Sequence, residues 1–209
     1  RVGQGRVYVQ LGDVDTLDFS AWCRGIAAGR SYVSDGYAHA LRFEVDGHSP
    51  GGKDVELKSP GEVHVTATVA FAREVPEGVA YGTQNPPLRR DVGDTRVLHA
   101  PRSDQRVQPS PRTVELVVNG QVVARRDVSS DAQPHDLEFR VPVERSSWIA
   151  IRQFPQLHTN PVNVIIDDQP IRASRASARW CGAAVDLLWR NRSRHIAAAE
   201  RPAAREAYD

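Results

Sequence analysis

The residues best suited to chemistry in this sequence are its seven histidines and two cysteines. The histidines never occur as His-x-His or His-x-x-x-His, the spacings that place two imidazole ligands side by side. The cysteines lie far apart in the chain, and no Cys-x-x-Cys pair is present. We therefore predict no metal ligand and no catalytic residue within this chain.

The two cysteines, Cys23 and Cys181, each follow a tryptophan. Free cysteine is among the most buried residue types, which favours two small hydrophobic side chains in the core. A disulfide between them and a catalytic thiol are the alternatives. The disulfide needs matching geometry that a sequence does not show.

One glycine-rich segment has the spacing of a phosphate-binding loop. Residues 47–54 read GHSPGGKD and match G-x-x-x-x-G-K, but Asp54 stands where a serine or threonine would bind Mg²⁺. Such a loop also leads into a helix whose N-terminal amides face the anion, whereas the continuation VELKSPGEVHV is typical of a strand. The segment is predicted to be a polar loop.

His158 lies in LHTNPV, flanked by hydrogen-bonding residues at the entrance of a predicted strand. A side chain in that setting more often pins a loop than binds a ligand. We favour the first interpretation and keep His158 as a candidate site residue.

The elements that position these residues begin with a helix predicted at residues 15–28. Asp18 is one of several residues able to cap its start, and Gly29 is placed to end it. The next segment, GRSYVSDG at 29–36, is then a short strand between that glycine and a turn at Asp35-Gly36. One apolar stripe recurs at helical spacing along the helix: Phe19, Trp22, Cys23 and Ile26.

From residue 30 the period falls from about 3.6 residues to two, which marks a change from helix to strand. Alternation predicts strands in HALRFEVDG, EVHVTATVAFA, HDLEFRVPV and SSWIAIRQF. In the first of these, Leu41, Phe43 and Val45 form the apolar side. Hairpins are predicted at Asn119-Gly120, within RTVELVVNGQVVARRDV, and at Asp167-Asp168, within NPVNVIIDDQPIRA.

These patterns predict a mainly β chain, an antiparallel β-sandwich of immunoglobulin-like type with an N-terminal helix and C-terminal helices. We predict three segments: a helix and junction at 1–36, the sandwich at 37–172 and a helical segment at 173–209. Residues 73–111, crowded with Pro, Arg, Asp and Gln, form a long insertion in the sandwich.

Charge and hydropathy argue against two classes of partner. The 27 basic and 26 acidic residues leave almost no net field to attract nucleic acid, and no aromatic stacking platform accompanies the arginines. No run of residues is apolar for long enough to span a bilayer. Because the chain begins at Arg1 and contains no methionine, we expect it to be a piece of a longer polypeptide.

Five segments follow one another in the order GRVYVQL, FSAWCRGIAAGRSYVSDG, VELVVNGQVV, SSWIAIRQFPQLHTNPVNV and QPIRASRASARWCGAAVD. In that order they resemble the C-terminal region of CehA/McbA-type metallohydrolases, members of the PHP (polymerase and histidinol phosphatase) superfamily. The resemblance runs from residue 5 to residue 208, apart from the insertion at 73–111.

The resemblance implies an upstream α/β barrel that binds divalent metals, Zn, Mn or Fe, in a hydrolase of phosphoesters or esters. The family's last ligand motif would lie just before GRVYV, so we expect this chain to begin beyond it and to carry no cofactor. Its partner would be the upstream barrel of the same polypeptide, which it would cover or shape as a noncatalytic accessory region. Segment 29–36 would lie between barrel and sandwich, which makes Ser34 and Asp35, together with His158, candidates for the substrate entrance.

Two other functions stay open. The chain can be an independent immunoglobulin-like or carbohydrate-binding module. It can also be a self-contained hydrolase that uses His158 and Asp35, which requires those two side chains to converge.

Overall fold

The computed structural model describes residues 5–75 and 110–208. The described residues divide into two compact units, the first formed by residues 5–75 and 110–173 and the second by residues 174–208. Almost all of the predicted insertion at 73–111 lies outside the described residues.

The first unit is a β-sandwich, which confirms the predicted mainly β fold with two sheets. The immunoglobulin-like subtype stays a prediction. In chain order its described elements are β1 (Arg6–Val9), α1 (Phe19–Ala27), β2 (Ser31–Ser34), β3 (Ala38–Val45), β4 (Val55–Leu57), β5 (Gly61–Phe71), β6 (Arg112–Val118), β7 (Gln121–Val128), β8 (Pro134–Val143), β9 (Ser147–Gln153), β10 (Leu157–Thr159) and β11 (Val162–Ile166).

Strand β9 is the centre of the larger, eight-stranded sheet. Strand β6 pairs along β9 and carries β7 on its far side. Strands β10 and β11 pair with different halves of β9, with β2 and β1 beyond β10 and β4 beyond β11. The β11–β4 pair is parallel, so the sheet is not wholly antiparallel as predicted. The reason is that β4 enters this sheet from β3 of the other sheet, through the loop at 46–54, and not through a hairpin.

The smaller sheet has the order β3-β5-β8, and the core lies between the two sheets. Val65 of β5 lies opposite Val45 of β3 and Phe139 of β8. The alternation predicted for β5 is confirmed, since its five inward residues are all buried: Val63, Val65, Ala67, Val69 and Phe71.

The prediction for β3 is wrong at one position. A β-bulge between Ala40 and Arg42 shifts the register of β3 against β5. An extra residue in one strand leaves that residue unpaired and reverses the alternation around it. Leu41 is consequently 56% exposed, while Ala40 and Phe43 face the core.

Of the two predicted hairpin turns, one joins two paired strands and the other does not. Asn119 and Gly120 both have positive φ, 50° and 85°, and join β6 to β7 as predicted. Asp167 and Asp168 also turn with positive φ, but no strand follows them, so that hairpin prediction is wrong. Pro170 lacks a backbone N–H and cannot extend a ladder, and β11 pairs with β9 and β4 instead.

Helix α1 is confirmed, with its caps. The Asp18 carboxylate accepts hydrogen bonds from the backbone N–H groups of Ser20 and Ala21 at 2.9 and 3.0 Å, which lowers the pKa of Asp18. Gly29 follows the helix with φ of 78°, the left-handed conformation that favours glycine. Gly25 is the buried residue of the helix, and a side chain there would collide with Val9.

The described part of the second unit consists of α2 (Arg175–Arg192), a 3-10 turn (Ser193–His195) and α3 (Arg201–Tyr208). The Ser174 side chain caps α2 by accepting from the backbone N–H of Ser177. Within this unit the Trp189 ring contacts the Tyr208 ring at 5.4 Å, and the Arg205 guanidinium lies over Trp189 at 5.3 Å. Among the described residues no helix is both long and apolar enough to cross a membrane.

The favoured interpretation of the cysteines is wrong. Cys23 on α1 and Cys181 on α2 are both exposed free thiols. The buried residue of α1 is Gly25 and that of α2 is Leu187, so neither cysteine lies at the buried position of its helix. An apolar stripe shows that a helix is amphipathic, and does not show which part of the stripe is covered.

Strands β10 and β11 pair with the same side of β9, and one residue of β9 between them has no strand partner on that side. Strand β10 ends at Thr159 and β11 begins at Val162, so the backbone of Ile151 lies between the two ladders. The Thr159 hydroxyl fills the gap, accepting from the Ile151 N–H at 3.1 Å and donating to the Ile151 C=O at 3.3 Å. One buried side chain thus replaces two backbone partners.

We expect Thr159→Val to lower the free energy of unfolding by about 1–3 kcal/mol, because it keeps the volume but leaves two buried backbone groups unpaired. Thr159→Ser keeps the hydroxyl and serves as the matched control, with a smaller loss. Urea denaturation of the three proteins measures the difference. An equal loss in both variants would show that the methyl group, and not the hydroxyl, matters at this position.

Candidate functional site

Ser34 and Asp35 hold the turn between β2 and β3. Ser34 is buried, and its hydroxyl donates to the C=O of Ala38 and accepts from the N–H of Gly36 at 2.9 Å. One carboxylate oxygen of Asp35 accepts from the N–H of Tyr37 at 2.8 Å. Both side chains are therefore occupied within the turn.

Asp35 also ties this turn to the connection between β9 and β10. Its N–H donates to the C=O of Gln156 at 3.1 Å, and its second carboxylate oxygen accepts from the side-chain amide of Gln156 at 2.9 Å. These bonds join residues that are 121 positions apart in sequence. Asp35 thus links the β2–β3 turn to the β9–β10 connection.

His158 lies on the outer side of β10, opposite Val33 of β2 and Arg152 of β9. Its Nδ1 lies 2.7 Å from the C=O of Thr159, and because a carbonyl only accepts, Nδ1 carries the proton. This contact agrees with the interpretation of His158 as a side chain that pins its own loop.

The three candidate residues do not form one hydrogen-bonded group. His158 bonds to the Thr159 carbonyl, and Asp35 bonds to Tyr37 and Gln156. Neither side chain is hydrogen-bonded to the other, and no ion pair joins them in the part of the chain that the structure describes.

Asp46-Gly47-His48 is the one segment with Asp-x-His spacing, and its side chains also have structural partners. Asp46 accepts from the N–H of His64 at 2.7 Å, and Nδ1 of His48 lies 2.9 Å from the C=O of Lys53. Residues 5–75 and 110–208 contain no group of three or more His, Cys, Asp or Glu side chains placed to hold a metal ion.

A buried arginine, Arg112, escaped the sequence analysis. It begins β6 and is 3% exposed, and its Nε and Nη1 have no hydrogen-bond partner among residues 5–75 and 110–208. Burial lowers the pKa of Arg112, and the nearby Asp35 carboxylate opposes that shift. The Asp35 carboxylate therefore favours the charged form of the buried Arg112 guanidinium, in addition to holding its own turn.

Two buried glutamines complete this polar cluster, which comprises Asp35, Arg112, Gln153 and Gln156. The N–H of Gln156 donates to the C=O of Gln153, and Oε1 of each glutamine has no hydrogen-bond partner in the part of the chain that the structure describes. Buried donors and acceptors without partners are rare in native cores and costly. The cluster is the least satisfied part of the described sandwich interior.

Alternation does contain the signal for Arg112. Arg112, Val114 and Leu116 are two residues apart and share the buried face of β6. Reading the period back by one step from Val114 places the arginine inside the sandwich. The predicted hairpin RTVELVVNGQVVARRDV begins with Arg112, but the sequence analysis did not assign that residue to the buried face.

A second group of polar aromatic residues lies at the β1–β2 edge. The Tyr8 and Tyr32 rings stack with centroids 5.1 Å apart, and the Tyr32 hydroxyl lies 2.9 Å from Nδ1 of His39. Burial, together with the electrostatic effect of Tyr8, raises the pKa of Tyr32 to about 12. The phenol of Tyr32 therefore stays protonated to a higher pH than an exposed tyrosine does.

Comparison with protein-family models and with curated proteins gave no match to this chain.

The polar cluster predicts coupling between Asp35 and Arg112. We expect Asp35→Ala to lower the unfolding free energy by about 2–3 kcal/mol, since it removes two accepted hydrogen bonds and the carboxylate beside a buried charge. Arg112→Met should cost under about 1 kcal/mol, because it removes buried donors that have no partner.

In the double variant the loss from Asp35→Ala should shrink by at least about 1 kcal/mol, the size expected for neighbouring groups that interact. Chemical denaturation of the two single variants and the double variant measures this coupling. Additive losses would contradict it and would leave Asp35 as a turn residue alone.

Tyr32 predicts a loss of stability at high pH. A tyrosine whose pKa is about 12 when folded and about 10 when unfolded stabilises the fold fully below about pH 10, and this contribution disappears as the pH rises towards 12. The unfolding free energy should therefore fall between about pH 9 and pH 11 by more in the wild type than in Tyr32→Phe. Identical pH profiles for the two proteins would refute this assignment.

Proposed function

We propose that this chain is a noncatalytic accessory β-sandwich region of a PHP-type metal-dependent hydrolase, where it covers or shapes the catalytic barrel. The observation that carries the proposal is an uncovered apolar surface on and beside α1. We call it the α1–β1 surface, and it consists of Val7, Leu17, Phe19, Ile26 and Val33.

The part of this surface at the start of α1 is unusually exposed for large apolar side chains, and it comprises Leu17, just before the helix, and Phe19, its first residue. Leu17 is 85% exposed and Phe19 is 76% exposed, and the Phe19 ring stacks on Trp22 at 5.8 Å. A helix of a globular protein normally turns such a stripe toward its own core. In α1 only Gly25 is buried.

The strand part lies beside the helix. Gly25 packs onto Val9, and Val7 lies two residues earlier in β1, on the same side of the strand. Val33 is directly opposite Val7 in β2, and both are exposed. The helix therefore covers only one end of this outer sheet face.

Contiguous exposed apolar residues mark surfaces that contact another protein surface. In the resemblance to PHP-type hydrolases, the α1 segment is the end of the barrel region, so the barrel is the occupant that the resemblance predicts. This agreement between an uncovered helix and its predicted neighbour supports the proposal.

The described residues do not fit the metal cluster that the resemblance implies, because they hold no group of three metal-ligating side chains. No catalytic step is therefore assigned to this chain. Ser34 and Asp35, which bond within their own turn, would act on a substrate entrance by holding that turn in place.

The proposal predicts that the uncovered surface binds the upstream region of the same polypeptide. With that region supplied as a separate protein, Leu17→Ser combined with Phe19→Ser should weaken association at least about tenfold, because large apolar anchors dominate interfaces. Val123→Ser, an exposed apolar residue on β7, is the matched control and should leave association unchanged. Titration calorimetry measures the three affinities.

A gene that encodes no hydrolase region upstream of Arg1 would overturn the proposal and favour an independent binding module. Hydrolysis of 4-nitrophenyl phosphate or 4-nitrophenyl acetate by the purified chain with Mn²⁺ or Zn²⁺ would overturn its noncatalytic part. Equal weakening by the α1 and β7 variants would remove the α1–β1 surface as the contact.

A further inference from the structure

The sandwich has an open cleft of about 280 Å³ between strand β1 and strand β3. Each of these strands pairs with a neighbour on one side only, so each is the edge of its sheet. Residues of both edge strands line the cleft, Tyr8 and Val9 from β1 and Leu41 and Phe43 from β3. The cleft lies wholly within the first unit and is independent of the α1–β1 surface.

The walls of the cleft are apolar and partly aromatic. Tyr8 and Tyr32 line one side as a parallel stack, and the Tyr32 hydroxyl is already engaged by His39. Phe43 lines the other side, together with Leu41, which the bulge in β3 turns outward. Such walls suit a flat apolar body.

One cation at the cleft is left without a partner. The Arg30 guanidinium makes no hydrogen bond or ion pair with any residue in the described ranges, whereas Arg42 is paired with Glu44 at 2.6 Å. These three charges sum to +1. The hydroxyl of Ser49, which also lines the cleft, has no hydrogen-bond partner among the described residues.

The Arg30 side chain is held in place at its stem. A Cβ on Gly51 would overlap the Arg30 side chain and the C=O of Ala28, so the Gly51 backbone packs directly on both. Gly51 has φ of 71°, a conformation that other residues rarely adopt. The loop at 46–54 thus sets the position from which the guanidinium projects.

We propose that this cleft binds a small organic monocarboxylate with a flat apolar body. The carboxylate accepts hydrogen bonds from Arg30, whose planar fork matches its two oxygens, and the body packs between the tyrosine pair and Leu41. Glu44 disfavours a second negative charge on the ligand, which selects a monoanion over a phosphate.

Benzoate is the probe for this proposal, with benzyl alcohol as its neutral counterpart and inorganic phosphate as an anion without an apolar body. Two-dimensional NMR of the full chain should show shifts at Tyr8, Tyr32 and Arg30 on addition of benzoate. Binding should be in the millimolar range that is usual for so small a ligand. Benzyl alcohol and phosphate should bind at least about tenfold more weakly, since each lacks one of the two interactions.

Arg30→Gln keeps the part of the stem that packs on Gly51 and removes the charge, so it should weaken benzoate binding at least about tenfold without changing the thermal midpoint. Arg145→Gln removes another exposed arginine, remote from this cleft, and should bind benzoate as the wild type does. Leu41→Ser removes part of the wall on an exposed bulge and should weaken benzoate and benzyl alcohol alike.

N-acetylphenylalanine and its amide distinguish a free small molecule from a peptide carboxyl terminus. Tighter binding of N-acetylphenylalanine than of benzoate assigns the cleft to a C-terminal carboxylate, and the reverse assigns it to a free acid. The proposal is overturned if benzoate and benzyl alcohol bind equally, if Arg30→Gln and Arg145→Gln behave alike, or if benzoate shifts no resonance of the cleft.

Discussion

The sandwich depends on how strand β9 satisfies its backbone on both sides. Strand β6 pairs along one side of β9. The other side is divided between β10, which ends at Thr159, and β11, which begins at Val162. A buried N–H and C=O without partners would cost several kcal/mol, about as much as a small domain can lose. The Thr159 hydroxyl bonds to both groups of Ile151 and allows one central strand to hold two branches of the sheet.

That branching explains the unequal sheets. One branch carries β10, β2 and β1 outward, while the smaller sheet stops at β3, so the β1 edge lies beyond anything paired beneath it. The bulge at Leu41 falls on the free edge of β3, where bulges commonly interrupt further strand pairing. The resulting cleft is therefore a consequence of topology, and its single free cation follows from the loop that fixes Arg30.

Much of the fold could be predicted from the sequence, because burial on one face imposes a period that the residues display. Strand β5, the Asn119-Gly120 turn and the capped helix α1 follow from such local rules. The bulge in β3, the parallel β4 and the role of Thr159 depend on which strands meet, which no local pattern contains. The candidate site was the part predicted least well, because the sequence does not show the hydrogen-bond partners of Ser34 and Asp35. The side-chain partner of Asp35, Gln156, lies 121 positions away.

The same limit applies to α1, whose stripe of Phe19, Trp22 and Ile26 predicts that something covers it but not what. Gly25 determines which side of α1 faces the sheet. Because it has no side chain, the helix can approach Val9 closely at this position. The broad apolar face must then turn outward, because one helix surface cannot face the sheet on both sides. A larger residue at 25 would push the helix off β1, so the outward orientation of the stripe is a property of this sequence. For that reason the exposed apolar face of α1, more than any polar residue, is the observation on which the proposed contact with a second surface depends.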